Sequence, residues 1–266
     1  MSERTPLVLI HGFTDSPRTW DLLRPLLERD HEVLVPATLG HCGGAPLPER
    51  MDSPLRAMVD DLERQMDEAG FETAHLVGSS LGGQIAIELG ARGRARSVVA
   101  LAPGGGWEEE QAVKKVMAYF ERTNKIGGFA AKHARSLVSR PKLRKLVLRD
   151  VVEHGERVPP SIGAALLVNA RECPMFEPMK EAVGGGSWRS DELQPIPVPV
   201  RVVWGTKDRI LPPDAATGHW RGALADAEWI ELDGLGHLPH LEDPERIARL
   251  VLEVTAAQRE PAGARA

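Results

Sequence analysis

An α/β fold built on a mostly parallel sheet is predicted by three features of this 266-residue sequence. Short apolar, β-rich runs alternate with helix-length amphipathic stretches, the pattern left by strand–helix–strand crossovers. A glycine-bracketed serine, Gly78-Ser79-Ser80-Leu81-Gly82, lies between one such run and the next helical stretch. The composition, 42% hydrophobic and 27% charged, is that of an ordinary globular chain and excludes a disordered or fibrous one.

The elements follow in order. Pro6 to Ile10 is a continuous β-rich run ending at His11-Gly12. Ser16-Pro17 offers an N-cap and a first-turn proline, and Trp20, Leu23 and Leu27 follow at helical spacing. His31 to Val35 predicts a second strand, stopped by Pro36. Ser53-Pro54 opens a helix whose Leu55, Met58, Val59, Leu62 and Met66 form one apolar stripe. Thr73 to Val77 predicts a third strand, Leu81 to Ala91 a short helix, and Ser97 to Leu101 a fourth strand. Val198 to Trp204 and Ala227 to Leu232 complete six strands, and Asp243-Pro244 caps a last helix to about Thr255. The tail from Ala256 is small and polar, as fraying ends are.

Between the fourth and fifth strands the alternation stops. Trp107 to Asp191 reads as mostly helical, bracketed by Gly104-Gly105-Gly106 and Gly184-Gly185-Gly186, which suit either hinges or plain loops. The expected organisation is a core of residues 1–106 and 192–266 with a helical lid over 107–191. That insertion holds 15 Lys and Arg against 11 Asp and Glu, with nine basic residues and one acidic between Glu121 and Arg149. Such a run solvates a helix face or draws in an acidic substrate or a membrane surface.

Charge and apolar runs narrow the partners. With 33 basic and 38 acidic residues the net charge is −5, which gives no basis for nucleic-acid binding. No apolar run nears the roughly 20 residues that span a bilayer, so no stable membrane insertion is expected. Only Leu7 to Ile10 precede His11, too few for a secretory signal core. Two cysteines, Cys42 and Cys173, make no disulfide framework, and a cytoplasmic location is expected. The partner expected is a small-molecule substrate.

The chemistry starts at Ser80. A serine on a sharp strand-to-helix turn needs neighbours without side chains two residues away, and Gly78 and Gly82 provide them. Ser79 is given no catalytic role. A hydroxyl near its normal pKa needs a base. His237, in the Gly234–His240 loop after the last strand, falls on the carboxyl edge of a parallel sheet with Ser80, and His240 is a second candidate. Asp208, after the fifth strand, supplies the acid that orients the base, with Glu108, Glu109 and Glu110 as rivals that suit a helix N-terminus better. Backbone N–H groups of Leu81 and Phe13 are the expected oxyanion-hole donors, and His11 is expected to shape the Phe13 loop.

His11-Gly12-Phe13, Gly78-Ser79-Ser80-Leu81-Gly82-Gly83, Gly205-Thr206-Lys207-Asp208 and Gly236-His237 come in the order oxyanion loop, nucleophile, acid, histidine, with 29 residues from Asp208 to His237. In this the chain resembles the α/β-hydrolase fold over nearly its whole length. The resemblance implies a serine hydrolase of the esterase or lipase kind, with an acyl-enzyme and no metal or organic cofactor. It also implies that the first two family strands are missing, because the oxyanion-loop strand begins at Pro6. The His31 to Val35 strand then forms an edge that is short, covered or paired in a homodimer. Serine at position 80 departs from the epoxide and haloalkane hydrolases, which use an aspartate there.

Met117, Tyr119, Phe120, Phe129, Met175, Phe176 and Met179 are the substrate-pocket candidates from the insertion, and the same residues suit a plain hydrophobic core. Carboxylic-ester hydrolysis of a small or medium hydrophobic substrate is the expected reaction. Thioester hydrolysis, carbon–carbon cleavage beside a ketone and a cofactor-free perhydrolase use the same apparatus. A receptor that keeps the triad and uses the lid as a ligand-gated switch is the alternative from outside enzymology.

Overall fold

The structure, a computed structural model, describes residues 4–186 and 193–258. The predicted boundary at 191–192 and the end of the tail lie outside the described residues. Six strands form one sheet: β1 (Thr5–Ile10), β2 (His31–Leu34), β3 (Ala74–Ser79), β4 (Ala95–Leu101), β5 (Val200–Gly205) and β6 (Glu228–Leu232). Their order is β2-β1-β3-β4-β5-β6, and every neighbouring pair is parallel. The sheet is therefore wholly parallel. Each strand lies within a few residues of its predicted run.

Alternation along the strands divides the core in two. Val8, Ile10, Leu76, Val98 and Val202 face a cluster filled by the Pro54–Glu68 and Leu81–Ala91 helices. Leu7, Leu9, Val77, Val99 and Val203 face the other, with Trp20, Leu23 and Leu27 and with Ile247 and Val251 of the Pro244–Ala257 helix. The Pro54–Glu68 helix starts where its cap predicts, the Ser53 hydroxyl accepting from the Arg56 N–H at 3.4 Å. The helix expected after Ser16 is instead two pieces, a 3₁₀ turn at Pro17–Trp20 and one α turn at Arg24–Leu27. Pro25 explains the break: it has no N–H for the carbonyl four residues earlier and its ring crowds that turn.

The chain runs from β1 outward to β2, then returns past β1 to β3. That reversal puts the crevice of this sheet outside the carboxyl ends of β1 and β3. Between β4 and β5 lie the helices Glu110–Lys132, Ala134–Ser139, Pro141–Leu148, Pro160–Asn169 and Phe176–Gly184. No helix among the described residues is long and apolar enough to cross a membrane.

The glycine triplets do different work. A Cβ at Gly106 would strike the Ala216 carbonyl and the Trp220 ring, so the first triplet is closed by packing. The second ends the Phe176–Gly184 helix, with the Gly185 and Gly186 N–H groups bonded to the Glu181 and Val183 carbonyls. The basic run also divides. Arg144 is buried and donates to the carbonyls of Val138, Gly155 and Glu156, so it braces the insertion from within.

Candidate functional site

Ser80 follows β3 with φ 56° and ψ −120°, a conformation that L residues rarely adopt and that surrounding contacts must enforce. Its N–H donates to the Leu101 carbonyl at 2.8 Å and its carbonyl accepts from the Gly104 N–H at 2.9 Å. The bracketing glycines permit the turn for a specific reason: a Cβ on Gly78 would strike the Gly82 carbonyl, and one on Gly82 would strike that of Ile10. Gly12 brings the next loop equally close, since a Cβ there would lie 3.2 Å from the Ser80 Cβ.

Two expected side chains form a buried pair. Asp208 Oδ2 accepts from His237 Nδ1 at 2.7 Å, while Oδ1 accepts from the backbone N–H groups of Ile210 at 2.9 Å and Leu211 at 2.7 Å. Both residues are almost fully buried, so the pairing is held in a low dielectric. Donation from Nδ1 leaves Nε2 as the basic nitrogen. No hydrogen bond joins the Ser80 hydroxyl to the His237 ring in this structure.

Two other histidines near the site have different surroundings. His240 is buried against Trp20 at 4.3 Å between ring centroids, bonds Thr19 Oγ1 through Nε2 at 2.8 Å, and is pushed down to about 3 by burial. His11 shapes its loop as expected: Nε2 accepts from the Thr38 N–H at 3.1 Å, so Nδ1–H donates to the Gly12 carbonyl at 2.9 Å. Burial, and secondarily His41, hold it near 3. Glu109 and Glu110 stand exposed at the start of the Glu110–Lys132 helix, while the carboxylate paired with His237 is that of Asp208.

A cavity of about 60 Å³ opens at Ser80. Phe13 and Leu81 line it from the core, and Val113, Met117, Phe120 and Met179 line it from the insertion. Ile210 and Leu211, whose N–H groups hold Asp208, form another part of its wall. The other pocket candidates lie elsewhere. Phe176 is buried and stacks on Phe13 at 6.0 Å, Met175 packs near Gly40, and Tyr119 contacts Phe120 edge-on outside the cavity lining. Phe129 is 67% exposed and stacks on His133. It falls nine residues after Phe120 on one helix, which at 3.6 residues per turn is about 180° around the axis. Lys132 and Arg135 of the basic run border a separate groove that does not include Ser80.

Two acidic residues escaped the sequence reasoning. Asp15 is buried in the loop after β1, accepts from the Ser16 N–H at 2.8 Å, and is pushed up to about 7 by burial, against the opposing pull of Ser16, Thr19 and the His237 charge. Glu242 is buried five residues after His237, and burial raises its carboxyl above the ordinary range. The two acceptors resemble solvated loop acids in the sequence; only the tertiary burial marks them. Among the described residues no three His, Cys, Asp or Glu side chains group to hold a metal ion.

Comparison with known proteins agrees with this architecture. The model of the alpha/beta hydrolase family matches residues 7–250. Among curated relatives, Epoxide hydrolase EphH of Mycobacterium tuberculosis is 36% identical over 198 residues, 73% of this chain and 91% of that protein. A pimeloyl-[acyl-carrier protein] methyl ester esterase of Aromatoleum aromaticum is 30% identical over 265 residues, 94% of this chain and 98% of that one. The 2-hydroxy-6-oxo-6-phenylhexa-2,4-dienoate hydrolase of a Rhodococcus strain superposes with a TM-score of 0.73 at 21% identity, covering 95% of this chain and 91% of the other, a likeness of fold. A strained serine turn at the sheet crevice, a buried acid–histidine pair and a family match over most of the length converge: the chain belongs to the alpha/beta hydrolase family and is a hydrolase of that fold.

Proposed function

We propose that the protein hydrolyses carboxylic esters with a small apolar acyl group, through an acyl-enzyme on Ser80. The observation that carries this reading is the juxtaposition at one sheet edge of a strained Ser80, an apolar cavity in front of it, and the His237–Asp208 pair whose acid is held by that cavity's own wall. His237 Nε2 takes the Ser80 proton as Oγ attacks the carbonyl carbon, and Asp208 holds the ring in the tautomer that can do so. Reach between the two side chains is completed in the substrate complex, where hydrogen bonds that are long in the free enzyme tighten. Leu81 is the first residue of its helix, so its N–H has no carbonyl one turn earlier, and together with the Phe13 N–H it receives the oxyanion. His237 then protonates the leaving alcohol, and water repeats the sequence to release the acid.

Substrate size follows from the cavity. The cavity of about 60 Å³ is lined almost wholly by apolar side chains, which favours a short apolar acyl group. The helices between β4 and β5 act as the lid over it, with Met117, Phe120 and Met179 as its selectivity residues. Serine also separates this chain from epoxide opening by covalent catalysis. Attack of a hydroxyl on an epoxide carbon leaves an ether, which water does not cleave, whereas attack on an ester carbonyl leaves an ester, which it does. The methyl ester esterase relative, which matches nearly the full length, agrees with that chemistry.

The test is a panel of esters of increasing acyl length run on wild type and Ser80→Ala, with an alkyl phosphonate label located by mass spectrometry. The expected result is turnover of the short esters, a folded and inactive S80A, and the label on Ser80. Equal turnover by S80A, or a label on another serine, overturns the proposal.

A further inference from the structure

The segment between the Pro141–Leu148 helix and the 3₁₀ turn at Gly155–Arg157 belongs by sequence to the insertion. In space it belongs to the histidine loop. The Gly236 N–H donates to Glu242 Oε1 at 2.7 Å and the His154 N–H to Glu242 Oε2 at 2.7 Å, so one carboxylate joins the residue before His237 to the insertion. The Leu238 N–H donates to the Val151 carbonyl at 3.0 Å on the other side of His237. A Cβ on Gly236 would lie 2.9 Å from both the Glu153 nitrogen and the Val152 Cα, so the two backbones are in direct contact. Leu238 and Leu241 complete an apolar cluster with insertion residues, among them Val152 and Val158. The acid loop is tied to the same place: Arg209, beside Asp208, donates to the Arg149 carbonyl at 2.6 Å and pairs with Glu153 at 2.6 Å.

We infer that Glu242 is a positioning residue: with residues 149–154 it forms a fixed seat that sets the His237 ring against Asp208, so that this part of the insertion is scaffold for the reaction and does not open. The inference rests on the assignment of His237 and Asp208 as base and orienting acid. A carboxylate is required because both partners donate: each oxygen of Glu242 faces an N–H, and an amide in its place would set its own NH₂ against one of them. Misplacement of a catalytic group by about 1 Å costs up to about 10²-fold in rate.

Three measurements test the seat. Glu242→Gln is expected to lower kcat on a short ester about 10- to 100-fold with KM within about threefold, and to weaken the downfield proton signal of the His237–Asp208 hydrogen bond. Val158→Ala, which loosens the same apolar cluster without touching the carboxylate, is expected to lower stability while keeping both kcat and that signal. In the unaltered protein, amide hydrogen exchange of Gly236, Leu238 and His154 is expected to report one shared opening free energy. The inference is overturned if E242Q loses stability but keeps wild-type kcat and signal, if V158A loses as much kcat as E242Q, or if His154 exchanges freely while Gly236 stays protected. The exchange and the proton signal need no substrate, so failure of the ester assignment leaves them able to judge the seat, and S80A judges the ester assignment alone.

Discussion

Replacing Asp208 with asparagine separates orientation of the base from the packing around it. Asp208 Oδ1 already accepts two backbone N–H groups, from Ile210 at 2.9 Å and Leu211 at 2.7 Å. In Asp208→Asn the carbonyl oxygen must take that position, because an NH₂ there would face two donors. The NH₂ therefore falls where Oδ2 now meets His237 Nδ1 at 2.7 Å. The ring can keep a hydrogen bond only by turning its Nδ1 lone pair toward the amide, which moves its proton to Nε2, the nitrogen that receives the Ser80 proton in the proposed mechanism. The corresponding substitution in a serine protease lowers the rate by about 10⁴, the magnitude expected from a wrong tautomer. That is about 5 kcal/mol of transition-state stabilisation. Folding stability should change by no more than about 1–3 kcal/mol, because a charge-assisted hydrogen bond is exchanged for a neutral one while a buried charge is removed. The assay is the initial rate on the best short ester together with a urea unfolding curve. A D208N rate within tenfold of wild type would refute the tautomer argument, and Asp15, whose charge interacts with that of His237, would become the acid to examine.

Three further outcomes are expected. Gly82→Ala should lose about 1–3 kcal/mol or more, despite the usual gain from alanine in a helix, because its Cβ meets the Ile10 carbonyl; a raised melting temperature would contradict this. Stability should fall as the pH drops below about 6.5, since the unfolded chain protonates His11, His41 and His240 while burial holds the folded ones near 3, 4 and 3. Asp15 opposes this between about 4 and 7, where the folded carboxyl binds its proton first, so Asp15→Asn should steepen the loss in urea midpoints taken from pH 8 to pH 5; a flat or rising midpoint toward acid would count against the assignment. A thiol reagent at pH 8 should titrate exposed Cys42 at once and Cys173 only on unfolding, because burial raises the latter to about 11; two fast equivalents would show that its site opens.

What could be read from the sequence was whatever depends on neighbours along the chain. Strand runs such as Leu7–Ile10 are apolar because the sheet is covered on both faces, and the glycines around Ser80 reflect a turn closed by five consecutive residues. The order of Ser80, Asp208 and His237 needed only the rule that parallel strands end on one edge. Burial of Asp15 and Glu242 was not legible, because an acidic residue reads the same in sequence whether its carboxylate faces water or backbone donors. Helix faces in the insertion were half legible: Met117 and Phe120 share the lining side, yet Phe129 continues the aromatic content without continuing the face. The break at Pro25 was written in the sequence and was outvoted by the spacing of Trp20, Leu23 and Leu27.

The crevice has consequences for how such an enzyme can be re-engineered. On the proposed mechanism the groups that act beside Ser80 come from strand ends, while much of the pocket wall comes from two stretches near residues 113–120 and 179–183. Substrate range can then drift by swapping side chains in those two stretches while the reaction is left alone. If the strip near residues 149–154 is the seat inferred above, a graft that replaces the whole insertion from a cousin should import that strip together with a matching histidine loop.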